Sequence, residues 1–259
     1  ALESFEGLES LETIGGNFRV IAESDHSLRF LSSFKGLSGL KSIGGDFEVN
    51  AKLFCFEYLA SFEGLENLET IGGNFKVIAG SYSSLESLSS FKGLSSLKSI
   101  GEDFEVNTNS SLNALESFEG LESLETIGGN FRVIAESFSY SYSFNVLSSF
   151  KGLSSLKSIG GDFEVKARVL ESFEGLENLT NIGDKLTIKG CSSLNNIDAL
   201  KNIESLNDIS ITTCSKLYDF CVLKNVVQNM SGTFYVNDNG YNPTKYQLLN
   251  GECSQIPQE

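Results

Sequence analysis

A nineteen-residue block recurs along this chain, and its charged positions change sign from copy to copy. Segments 2–20, 31–49, 59–77, 88–106, 115–133 and 147–165 align without a gap, and 170–188 follows in looser form. Each copy reads L-x-S-F-[EK]-G-L-x-x-L-[EK]-[ST]-I-G-x-[ND]-F-[RKE]-V or a near relative. Two more degenerate copies begin at Leu194 and Leu217, so about nine units fill nearly the whole chain, which is the mark of a solenoid. We divide it into a repeat solenoid over 1–216, with coils starting near 2, 31, 59, 88, 115, 147, 170 and 194, and a last coil with a C-terminal cap over 217–259.

The apolar spacing decides the kind of solenoid. Leu2, Phe5, Leu8, Leu11 and Ile14 lie three apart, followed by Phe18 and Val20 two apart. An α-helix advances about 300° in three residues, so this stripe would drift around it and leave any one face. A path with three residues per turn, 3₁₀-like or extended, keeps the stripe inward, and the Phe-x-Val pair alternates as a short strand does. The expected fold is therefore a right-handed β-solenoid of about nine coils, with one parallel sheet and mostly non-α returns. Glycine pairs such as Gly15-Gly16 and Gly44-Gly45, with Gly101 alone before Glu102 in the fourth copy, precede the strand, where we expect backbone angles costly for residues with a Cβ.

Charge supports stacking in register. The residue between Phe and Val runs Arg19, Glu48, Lys76, Glu105, Arg132, Glu164, so parallel rungs about 4.8 Å apart place opposite charges side by side. Two further rows alternate likewise: Glu6, Lys35, Glu63, Lys92, Glu119, Lys151, Glu174, and Glu12, Lys41, Glu69, Lys98, Glu125, Lys157. A slip by one coil makes every pair like-charged. The Phe residues at the two repeat positions form two expected interior ladders that absorb most of the 20 Phe.

Function classes narrow by exclusion. A formal net charge of -15 repels phosphate and argues against nucleic acid. No apolar run reaches membrane-span length. The single His26 lies in a variable connector without a recurring partner, and the Glu rows are periodic and matched by Lys, so neither a triad nor a unique carboxylate pair emerges. We expect no enzyme, no cofactor and no metal. The row Asn17, Asp46, Asn74, Asp103, Asn130, Asp162 reads as a polar turn ladder in preference to a calcium site, because acidic oxygens recur only on alternate rungs. Ala1 opens directly inside a repeat, and we expect that whatever preceded it carried the export address, with a lipid anchor one form of it.

Cys191 and Cys214 each fall three residues past a strand end, in one column of adjacent coils. That placement leaves both a disulfide and a pair of reduced core thiols open. Cys221 and Cys253 bracket the segment that breaks the repeat, where a bridge would tie the tail back in an exported protein. The tail supplies an expected strand over 233–236 and a short helix over 244–250.

The units SLKSIGGDFEV and SLNNIDALKNIESLNDISI, with the FCVL, YNPT and GEC tail, resemble the receptor L-domain type of leucine-rich repeat found in surface proteins exported by gut Bacteroides and relatives. The resemblance covers practically the full chain. It implies a secreted or surface protein, such as an outer-membrane lipoprotein, without catalytic activity. The buried Asn of L-x-x-L-x-L-x-x-N is missing, which disfavours a horseshoe of the ribonuclease-inhibitor sort, and spirochaete adhesin repeats built on S-L-x-S-I are the nearest rival family.

Between the blocks lie unlike connectors, 21–30, 50–58, 78–87, 107–114, 134–146 and 166–169, which leave and return at equivalent points and so share one flank. They supply the candidate ligand contacts: Phe138, Tyr140, Tyr142 and Phe144, alternating with Ser and expected to be exposed, together with Tyr58 and Tyr82. Two functions follow. One is a module binding an extracellular protein or glycan through that flank; the alternative is a stiff spacer of about 40 Å.

Overall fold

The computed structural model describes residues 2–23, 28–51, 56–80, 85–108, 114–135, 146–255 and 257. The described chain is a parallel β-solenoid. Nine strands make one sheet in chain order: Phe18–Ala22, Phe47–Ala51, Phe75–Ala79, Phe104–Thr108, Phe131–Ala135, Phe163–Ala167, Lys185–Lys189, Asp208–Thr212 and Phe234–Asn237. The register pairs Arg19 with Glu48, Glu48 with Lys76, Lys76 with Glu105, Glu105 with Arg132, and Arg132 with Glu164. Opposite charge therefore meets opposite charge along the outer face, in the single row that the alignment requires.

A second parallel sheet was not anticipated. Its seven strands are two residues each, Thr13–Ile14 through Asn181–Ile182, and they lie at the end of the three-residue stripe. The stripe itself is two successive turns: the Leu8 N–H donates to the Phe5 carbonyl and the Leu11 N–H to that of Leu8. These i to i+3 bonds give three residues per turn without α-helix. In the second coil the same turns carry Leu31, Phe34, Leu37 and Leu40 inward before the chain enters the short strand.

Two kinds of glycine separate here, and the sequence reading confused them. Positive φ belongs to the Gly of F-[EK]-G-L, for example +100° at Gly36 and +107° at Gly64, the third position of the first turn. The glycines before the strand have no such requirement. They are needed because consecutive coils touch there: a Cβ on Gly44 would stand 2.6 Å from the Gly15 carbonyl oxygen, and one on Gly72, Gly101 or Gly128 would meet the glycine carbonyl of the coil before it more closely still. A Cβ on Gly15, in the first described coil, has nothing within 4 Å.

The interior is built from the two expected Phe ladders. Phe5, Phe34, Phe62, Phe91, Phe118, Phe150 and Phe173 follow one another at centroid spacings between 5.2 and 5.7 Å. Phe18, Phe47, Phe75, Phe104, Phe131 and Phe163 do so between 5.0 and 5.6 Å. Rings of one ladder tilt against those of the other, so each buried Phe is surrounded by rings. From the second coil to the seventh, Leu31, Leu37, Leu40 and their equivalents fill the rest, buried.

The last two coils keep the long strand but replace the short one. A 3₁₀ turn at Asp198–Asn202 serves the eighth coil, and in the ninth a 3₁₀ turn at Cys221–Leu223 runs into helix α1, Lys224–Asn229. Seven coils thus carry both strands, and two carry the long one alone. Helix α2, Lys245–Leu249, begins at Thr244, whose hydroxyl accepts the Gln247 N–H while the Gln247 side chain accepts the Thr244 N–H. A Cys221–Cys253 disulfide and an antiparallel bridge from Asp219 to Ser254 fasten the tail to the ninth coil.

Candidate functional site

The connector ends line up on one flank because both their anchors are fixed by the coil. On departure, Ala22, Ala51 and Ala79 stand side by side in the sheet, fully buried. On return, the N–H of Leu31, Leu59 and Leu88 donates to the carbonyl of Leu28, Phe56 and Leu85, closing a turn in each coil. Those three residues have φ of +55°, +56° and +59°, a left-handed conformation that bulky side chains rarely adopt. Phe56 and Leu85 are fully buried, and that anchoring offsets the local strain.

The residues just before the return Leu then project outward. Phe30 and Tyr58 occupy this place in the second and third coils and stack at 6.1 Å between centroids, 9° from parallel. They are 54% and 51% exposed. The Arg29 guanidinium lies 5.8 Å from the Phe30 centroid, and its Nε donates to Glu57 at 2.8 Å, so one ion pair clips the two rings together from the side. In the fourth coil the equivalent residue is Ser87, whose hydroxyl donates to the Glu57 carbonyl. The result is a preorganised aromatic step with a cation and a carboxylate at its border. Its contact chemistry is the stacking and edge recognition that flat apolar surfaces support; nothing in it activates a nucleophile.

Of the candidate contacts, Tyr58 therefore stands on this flank, exposed. Tyr82, Phe138, Tyr140, Tyr142 and Phe144 lie outside the described residues, as does His26. Phe30, Arg29 and Glu57 were not singled out from sequence. Aligning the connectors on their C-terminal ends places Phe30 over Tyr58, and that alignment was the available signal.

The other charged and polar rows serve the stack. Lys35 pairs with Glu63, Lys92 with Glu119 and Lys151 with Glu174, each reaching the coil that follows. Lys41 pairs with Glu12, Lys98 with Glu69 and Lys157 with Glu125, each reaching the coil before. A lysine coil thus holds one neighbour with each of its two lysines. The Lys98 and Lys157 ammonium groups, hydrogen-bonded to Glu69 and Glu125, lower those carboxyls below the usual range. On the strand row, Arg19 contacts Asp46 at 2.6 Å and Glu48 at 3.4 Å, and Arg132 contacts Glu164 at 2.9 Å.

The Asn/Asp row is a backbone ladder. Each side-chain oxygen accepts the N–H of the equivalent residue one coil on: Asn17 from Asp46, Asp46 from Asn74, Asn74 from Asp103, Asp103 from Asn130 and Asn130 from Asp162. Asp46 also receives the Asn74 amide and the Arg19 guanidinium. The Asn74 N–H, with the Arg19 and Asn74 side chains, pulls its carboxyl down to about 2. Among the described residues no group of three or more His, Cys, Asp or Glu could hold a metal ion, and no helix is long and apolar enough to cross a membrane.

Of the two states the sequence leaves open for Cys191 and Cys214, the structure has the reduced one. Both are buried in the column that Leu28, Phe56 and Leu85 occupy in earlier coils, where a thiol packs as a small apolar group. Hydrogen bonding to the Cys214 sulfur, together with burial, holds the Cys191 thiol protonated, well above the ordinary thiol range.

Comparison with known proteins adds little. No protein-family model and no curated protein matches the chain. Among solved structures, an internalin from Listeria monocytogenes is similar at 15% identity, over 90% of this chain and 75% of that one, with a TM-score of 0.23. A score that low carries no argument, and the solenoid stands on its own strands and register.

Proposed function

We propose that the protein is a non-enzymatic recognition module that binds an extracellular protein or glycan through its connector flank. The observation that carries this reading is the Phe30–Tyr58 step. Among the described residues they share an exposure above one half with only two other aromatic side chains, Tyr235 on the ninth strand and Tyr246 on helix α2, and they alone of the four stack on one another. Their position at connector ends, where coil after coil can vary without disturbing the core, supports recognition over packing. The Cys221–Cys253 disulfide supports an oxidising location, secreted or at the cell surface, with an outer-membrane lipoprotein as the form we favour.

A spacer is the second reading, supported by a sheet that runs through nine coils without interruption. The discriminating experiment screens the intact chain on glycan and peptide arrays, then repeats it with Phe30→Ser and Tyr58→Ser combined. Binding that disappears in the variant, at unchanged melting temperature, is the expected outcome. Absence of any ligand, or binding indifferent to both rings, favours the spacer.

A further inference from the structure

Two buried thiols are left unused by the function proposed above. Cys191 and Cys214 follow the seventh and eighth long strands, which pair Ile188 with Ile211 and Lys189 with Thr212. The chain leaves both strands through a left-handed residue, Gly190 at φ +70° and Thr213 at φ +60°. Each cysteine carbonyl then accepts the N–H of the return leucine, Leu194 or Leu217, at 3.0 Å. Each sulfur lies near the carbonyl two residues before it, that of Lys189 at 3.7 Å and that of Thr212 at 3.4 Å. The two side chains therefore start from the same backbone geometry one rung apart, about 4.8 Å, inside the Cα separation of about 4.4–6.8 Å that a disulfide spans. Their sulfurs are within hydrogen-bonding reach of each other, and the Cys191 N–H also points at the Cys214 sulfur.

The pair sits where the other ties between coils stop. Among the described residues the ion pairs of the charge rows end at Glu174, and the short sheet ends at Asn181–Ile182. We propose that Cys191 and Cys214 are a second cross-link site, closed to a disulfide by a small-molecule disulfide such as oxidised glutathione, that ties together the connections into the eighth and ninth coils. The Cys214 thiolate, favoured by the Cys191 N–H, attacks one sulfur of the reagent and expels a thiolate, which takes up a proton. The Cys191 sulfur gives up its proton, attacks the Cys214 sulfur of the mixed disulfide and expels the second reagent thiol. Two protein thiols are oxidised to one disulfide, and one reagent disulfide is reduced to two thiols. Both sulfurs are fully buried once the coils have packed, so the exchange runs during folding. With Cys221–Cys253 the bond makes a covalent path from the eighth coil through the ninth to the tail. This chemistry does not depend on the recognition function proposed above.

The test refolds the full chain, reduced and unfolded beforehand, in a glutathione redox buffer. After an acid quench and unfolding, free thiols are alkylated and linked peptides are mapped by mass spectrometry. The expected product joins Cys191 to Cys214 and Cys221 to Cys253, and leaves Cys55 as the residue alkylated. A Cys221→Ala, Cys253→Ala variant, whose folding is checked by circular dichroism, reads the remaining pair alone. In it, amide exchange over residues 208–217 should slow roughly tenfold or more on oxidation and recover with a reductant. A refolded wild-type chain that holds Cys221–Cys253 while Cys191 and Cys214 are both alkylated overturns the proposal. So does a lasting glutathione adduct on either thiol, a link from either to another cysteine, or exchange that oxidation leaves unchanged.

Discussion

Replacing Asp46 with Asn isolates a single charge within the stack. The shape of the row survives the change, because Asn already stands at 17, 74 and 130 and accepts the same backbone N–H from the next coil. What is lost is the carboxylate that faces Arg19 at 2.6 Å. The carboxyl is depressed from 3.8 to about 2. At about 1.4 kcal/mol per pH unit, that sets a ceiling of about 2.5 kcal/mol on what ionisation contributes. Arg19 is 44% exposed and Asp46 22%, so solvent screens part of it and we expect about 1 kcal/mol. The sign follows from the depression. The contribution is complete above the unfolded value near 4 and vanishes as pH falls toward 2. Urea unfolding of wild type and Asp46→Asn at pH 7, 4, 3 and 2 should therefore show a gap that closes across the acid range and narrows in 1 M salt. A gap that stays constant from pH 7 to pH 2 would mean that Asn fails as an acceptor, and would refute the assignment of the loss to charge.

Three further outcomes are expected. Glu105→Lys places three cations in succession with Lys76 and Arg132, and should cost about 1 kcal/mol in low salt and less in high salt, measured by chemical denaturation. Phe75→Ala removes a ring held between Phe47 at 5.2 Å and Phe104 at 5.0 Å, and should cost about 3–5 kcal/mol by the same measurement. Gly72→Ala drives a methyl into the Gly44 carbonyl and should cost on the order of 1–3 kcal/mol, whereas Gly15→Ala meets nothing and should shift stability by less than about 0.5 kcal/mol, both read from melting temperature.

Long-range register was legible in the sequence because it is encoded by repetition. Arg19 and Glu48 are 29 residues apart, yet their pairing follows from aligning two blocks. The second sheet was not legible, since a two-residue strand such as Thr13–Ile14 has no periodicity of its own and exists only through bonds to the next coil. The glycine before the strand was found, but its cause was misassigned: contact between coils leaves the same residue choice as positive φ does. Helix α1 was missed because six residues, Lys224–Asn229, are too few to show an apolar stripe. On the connector flank, Tyr58 was visible as an aromatic residue in a variable stretch. Phe30 was not, since its pairing depends on counting back from the return Leu.

The lysine coils also set a parity. Each holds the coil behind it with one lysine and the coil ahead with the other, so the stack alternates two kinds of brick. Near-identical blocks are prone to gain or loss of a copy when the chain's coding sequence recombines. Removing one coil brings two bricks of the same kind together and turns all three charge rows repulsive at that joint, while removing two in succession restores every contact. Length in such a chain is therefore free to change in steps of two coils and resisted in steps of one.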